Sequence, residues 1–126
     1  MQNYKEYFFI PAAPELVYKA LTTASTIALW TGEEAVMVAE PDMEFSLWSG
    51  AIVGKNLLFE ANKRIEQHWY FGDEPEKSIV SIKLHEQKSG TSMEVRQSNI
   101  PDEAFEDIVD GWRHTYIASL IDFYQE

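Results

Sequence analysis

Cysteine is absent from the sequence, which excludes disulfide scaffolds, thiolate nucleophiles and every Cys-ligated zinc or iron–sulfur centre. Basic charge is scarce. Ten Lys and Arg stand against 21 Asp and Glu, a formal charge of −11 at pH 7, and so acidic a surface repels phosphate backbones and anionic headgroups. Nucleic acids and membranes are therefore set aside as partners. Long apolar runs are missing too: nothing approaches the ~18–20 residues of a membrane span, and Met1 to Glu15 has no basic region followed by an apolar stretch. The expected compartment is cytoplasmic. Six Gly and five Pro are scattered singly, with no repeat, low-complexity tract or linker. Phosphate-binding glycine loops, serine nucleophile elbows, paired-histidine zinc helices and calcium loops are all lacking. No catalytic residue, metal or cofactor is expected.

What the chain does have is apolar surface with clear periodicity. Its 126 residues make about one domain, 1–126, and 45% hydrophobic and 13% aromatic residues supply an ordinary core. Tyr4 to Ile10 reads as a strand that stops at Pro11. Pro14 opens a short helix whose Leu16, Val17, Ala20 and Leu21 share one face. A second short helix starts at Ser25 as N-cap, runs through Ile27, Leu29 and Trp30, and ends near Gly32. From Ala35 to Ser98 the period is two, with turns at Pro41-Asp42, Ser49-Gly50, Gly54-Lys55-Asn56, Asn62-Lys63, Gly72 to Pro75 and Lys88 to Gly90. That spacing predicts about five to six antiparallel strands. Phe105, Ile108, Val109, Trp112, Tyr116, Leu120 and Phe123 then recur at helical spacing, which predicts a helix of about 20 residues. Asp102, Glu103, Glu106 and Asp107 sit in its first turns, where the helix dipole favours carboxylates. The predicted fold is α+β: a curved antiparallel sheet, in the order β-α-α-β(5-6)-α, wrapped around a long C-terminal helix with an internal cavity.

Two amides interrupt the inward apolar rows. Gln67 shares the face of Ile65, Trp69 and Phe71, and Gln97 that of Met93 and Val95. A buried amide without partners costs on the order of 1–3 kcal/mol, so each is either satisfied by backbone, placed at an open sheet end, or used to orient a ligand. Trp30, Trp48, Trp69, Trp112 and Tyr116 are the candidate cavity walls, although large aromatics around a few polar groups suit a plain core as well as a small-molecule pocket. Gly111 costs ~1 kcal/mol of helix stability relative to Ala and marks the close approach of a neighbouring strand or of a bound molecule. His68, His85 and His114 fall on outward faces and read as exposed rather than as metal ligands. The five carboxylates from Glu33 to Glu44 read as a solvated rim.

The residues also resemble a known family. The segments FSLWSGAIVGKNLLFEANKRIEQHWYF, SIVSIKLHEQKSGTSMEVRQSNIP and DGWRHTYIASLIDFY are similar to the C-terminal-type domain of activators of the heat-shock protein 90 ATPase, within the START-like, Bet v 1-like superfamily. The resemblance runs from Pro14 through Leu29-Trp30 to Phe123-Tyr124. Phe45 with Gly50 and Gly54, the Lys63 to Trp69 strand, Thr91, Ile100-Pro101 and Gly111-Trp112 carry it. It implies the helix-grip fold, and a superfamily whose members bind lipids, hormones, polyketides or other hydrophobic molecules, a few being cyclases or hydratases. Family activators use a separate N-terminal domain for their principal chaperone contacts, and that domain is not expected within these residues.

Three functions stand as expectations, because a fold alone does not choose among them. The first is a non-enzymatic domain binding an unidentified hydrophobic small molecule, with the five aromatic residues as walls and Gln67 and Gln97 orienting it. The second is a chaperone ATPase activator-like or stress-related protein-interaction module, working through an acidic outer face at Glu33, Glu34, Glu40, Asp42 and Glu44. An enzyme of the cyclase or hydratase kind ranks last, since no Asp, Glu or His lies on the inward rows.

Overall fold

The structure is a computed structural model and describes residues 1–125. It opens with β1 (Gln2–Ile10), α1 (Pro14–Thr22) and α2 (Ala24–Thr31), followed by β2 (Glu44–Leu47), β3 (Ile52–Glu60), β4 (Arg64–Trp69), β5 (Ser78–Gln87) and β6 (Gly90–Ile100). The C-terminal helix follows as α3 (Phe105–Gly111), a π turn (Trp112–Tyr116) and α4 (Ile117–Tyr124). All strands form one antiparallel sheet in the order β1-β6-β5-β4-β3-β2. The sheet curves around the helix in the helix-grip arrangement. Five strands therefore follow α2; the sixth candidate, around Val36, is reduced to a single bridge with Ser46. Thr23 rather than Ser25 precedes α2, and neither caps it through a side chain.

Alternation decides which side chains face the helix. Ile65, Val80, Ile82, Leu84, Met93 and Val95 are buried on the concave face, where they meet Trp112, Tyr116, Ile117 and Leu120 of the helix in one core. Val17, Ala20 and Leu21 of α1 and Ile27 and Trp30 of α2 close that core at one end, with α2 packed on α4. The buried Thr91 hydroxyl donates to Ala12 O at 2.7 Å and ties the loop after β1 to the start of β6.

Gly54-Lys55-Asn56 is not the turn that its composition suggests; it lies inside β3. Gly54 pairs with both Phe45 and Trp69. A Cβ there would lie 2.1 Å from His68 O and 2.9 Å from the Phe45 ring, so glycine is required by the close approach of the β4 backbone on one side and of an aromatic from β2 on the other. Two residues on, the register between β3 and β4 slips between Asn56 and Leu58. Such a bulge bends a strand and increases its twist, which helps the sheet wrap.

Candidate functional site

The C-terminal helix changes geometry where it meets the aromatic residues. α3 stops at Gly111, and the Ile117 N–H reaches back five residues to Trp112 O. The wider turn brings the Trp112 and Tyr116 rings to a centroid separation of 4.5 Å; turns of this kind are rare and concentrate at functional sites. From the sheet, Trp69 stacks on Trp112 at 5.0 Å with an interplanar angle of 18°. Trp48 lies 5.8 Å from Tyr116, and Trp30 meets Tyr116 at 5.2 Å and Trp48 at 5.6 Å.

Beside this cluster is a cavity of about 390 Å³, within the range of small-molecule sites. Trp48, Ile52, Trp69, Phe71, Ile108, Gly111, Trp112 and Tyr116 line it, and exposed Glu33, Val53, Asp107 and Thr115 also border it. Gly111 helps to keep it open. A Cβ at that position would meet nothing within 4 Å, so the neighbouring strand expected there is replaced by open space. Trp48 and Ser49 hold φ of 52° and Gly50 holds 100°, and left-handed backbone at a bulky residue is strain that tends to collect at ligand sites.

Of the expected wall residues, Trp48, Trp69, Trp112 and Tyr116 border the cavity; Trp30, Gln67 and Gln97 do not. Trp30 donates through Nε1 to Ala20 O at 2.8 Å and backs Trp48 and Tyr116. The two glutamines hold the wall tryptophans in place. Trp112 Nε1 donates to Gln97 Oε1 at 2.8 Å, Gln97 Nε2 to Ser78 Oγ at 3.1 Å, and Ser78 Oγ to Ser98 O at 2.8 Å. Trp69 Nε1 donates to Gln67 Oε1 at 3.0 Å, Gln67 Nε2 to Asn56 Oδ1 at 3.1 Å, and Asn56 Nδ2 to Val38 O at 3.0 Å. Each chain ends on a backbone carbonyl, so both amides are consumed. Asn56 is fully buried, although the turn-like composition of Gly54-Lys55-Asn56 gives no sign of it.

Two polar groups on the cavity wall remain free. Neither the Trp48 indole N–H nor the Tyr116 hydroxyl makes a hydrogen bond to another described residue, whereas the other three indole N–H groups are all used. Burial raises the pKa of Tyr116 above the ordinary phenol value, so its hydroxyl stays neutral and able to donate or accept.

A second polar cluster lies on the convex face. Glu94 is only 5% exposed despite its outward position in β6. Arg96 Nε donates to its Oε2 at 2.6 Å, and His85 Nε2 lies 2.9 Å from its Oε1. His85 and His114 are exposed as expected, but His68 is half-buried against Tyr70 at 4.9 Å. The Arg96 hydrogen bond, with His85 assisting against desolvation, lowers the Glu94 carboxyl from 4.5 to about 2. A depressed carboxylate stabilises the fold above its unfolded pKa and loses that contribution as pH falls through the folded value. The difference in urea midpoint between the natural chain and Glu94→Gln is therefore expected to be full above pH ~5 and to shrink as pH falls toward about 2. A difference that does not change with pH would contradict this assignment.

Among the described residues, no helix is long and apolar enough to cross a membrane, and no group of three or more His, Asp or Glu is placed to hold a metal. The Plasmodium falciparum HSP90 activator PFC0360w superposes with a TM-score of 0.89 at 20% identity, covering 98% of this chain and 96% of that one. DynU16, encoded in the dynemicin biosynthetic locus, superposes with a TM-score of 0.81 at 16% identity over 99% of this chain and 48% of its own. In sequence, the chain is 32% identical over 78 residues to protein C1711.08 of Schizosaccharomyces pombe, an alignment covering 62% of this chain and 23% of that protein. Residues 11–123 match a family model, and the chain belongs to that family: the Activator of Hsp90 ATPase homolog 1-like proteins.

Proposed function

We propose that this chain is a non-catalytic START-like binding protein that holds an apolar small molecule against the wall formed by Trp48, Trp69, Trp112 and Tyr116. The supporting observation is that a cavity of about 390 Å³ is walled by tryptophans, two of them held through dedicated hydrogen-bond chains, and bordered by a glycine at which an added Cβ would meet nothing within 4 Å. Core packing alone favours filling such a space, since a mid-helix glycine costs ~1 kcal/mol relative to alanine and leaves wall atoms without partners.

Gly111→Leu tests this reading. The leucine side chain enters the void, so thermal stability is expected to stay level or rise by about 1 kcal/mol from helix propensity. Binding is expected to be lost, measured as calorimetric titration with 2-naphthalenemethanol and as disappearance of any co-purifying mass in native mass spectrometry. A variant that binds as well as the natural chain would sink the proposal.

The second reading, an activator-like role on a chaperone ATPase, draws support from family membership and from exposed Tyr7 and Phe9, at 53% and 47%, on edge strand β1. It predicts that the chain raises the ATPase rate of a purified Hsp90-class chaperone and that Gly111→Leu leaves that effect intact.

A further inference from the structure

We infer that the cavity selects its occupant by charge, accepting flat aromatic molecules that carry an amine and refusing the matching carboxylates. The inference rests on the cavity being a binding site, as proposed above. Two carboxylates, Glu33 and Asp107, are among the residues that line it, and no Lys, Arg or His is. Both are exposed. An ammonium group at this border therefore gains two opposite charges while staying partly hydrated, whereas a carboxylate meets like charge and no cation to pair with.

The walls work in the same direction. Indole and phenol faces carry negative electrostatic potential and attract a cation placed over them, and Trp48, Trp69, Trp112 and Tyr116 present four such rings to one space. The Tyr116 hydroxyl is a separate polar handle on the wall. Tyr116 is 5% exposed, lines the cavity, and its hydroxyl is unpartnered among the described residues. With no protein partner, that hydroxyl offers a ligand heteroatom a hydrogen bond in place of water. The ligand class is thus a planar aromatic with a hydrogen-bonding atom at depth and a basic nitrogen toward the border.

Three probes of one ring system separate the possibilities: 2-naphthylmethylamine, 2-naphthalenemethanol and 2-naphthoic acid, titrated calorimetrically at pH 7 in low salt. The amine is expected to bind about 3- to 10-fold more tightly than the alcohol, the gain of exposed ion pairs, and the acid more weakly than both. Added salt shrinks the amine's advantage. In the Glu33→Gln, Asp107→Asn double variant, whose fold is checked by its circular dichroism melt, the amine-to-acid ratio falls several-fold, leaving only the preference of the ring faces. Equal affinities for amine and acid, a tighter acid, or a ratio that survives the double substitution would each overturn charge selection and leave the binding reading standing. If none of the three probes binds, the binding reading falls and takes this inference with it.

Discussion

Replacing Trp112 with alanine is expected to cost about 3–5 kcal/mol of folding stability, a drop in Tm on the order of 10–20 °C for a chain of this length. Trp112 is 2% exposed, stacks on Trp69, packs at a tilt against Tyr116 and satisfies Gln97 Oε1. Alanine removes the ring from between sheet and helix and leaves the glutamine acceptor unpaired. Trp112→Phe separates these effects, since it keeps an aromatic ring but not the donor; its loss is expected to lie near ~1–3 kcal/mol. Urea denaturation followed by far-UV circular dichroism reads both variants. A loss under ~1 kcal/mol for the alanine variant, the size of an ordinary surface change, would show that the helix does not depend on this ring.

Gln67→Leu is the second large expected effect. The substitution conserves approximate volume but strands two buried groups, the Trp69 N–H and Asn56 Oδ1, each at ~1–3 kcal/mol. Leucine is the more hydrophobic side chain, and a gain in stability is what simple burial would predict. The hydrogen-bond chain predicts a loss. Adding Asn56→Leu is expected to cost less in the Gln67→Leu background than alone, because the contact between the two amides is already gone; the double-mutant cycle measures that coupling. Additive losses would show that the two amides do not act as a unit.

These variants also mark the limit of local patterning. Gln67 and Gln97 were legible as inward-facing from period two alone, but their partners were not, because a donor on an indole is invisible to alternation. Gly54 illustrates the same limit from another side. Glycine beside Lys and Asn gives a turn signal whether it ends a strand or accommodates the backbone and an aromatic ring of its neighbours, and only the pairing of Gly54 with β2 and β4 distinguishes the two. The misplaced turn concealed Asn56, and with it the end of one chain. Alternation with Met93 and Val95 puts Glu94 on the outer face, yet its burial under Arg96 and His85 depends on neighbours from two strands.

The sequence by itself determined the absence of cysteine, the acidic balance, the order of the elements and the faces that strands and helix bury, because charge, propensity and side-chain period belong to each segment separately. Tertiary structure alone decided the site. Strand register sets Tyr4, Gln97, Val80, Gln67 and Asn56 in one row across the sheet, so distant amides reach the tryptophans of that face. The π turn then brings Trp112 and Tyr116 together above it. The space beside Gly111 exists only because several elements meet there without filling it, and a void has no residue of its own by which the chain could announce it.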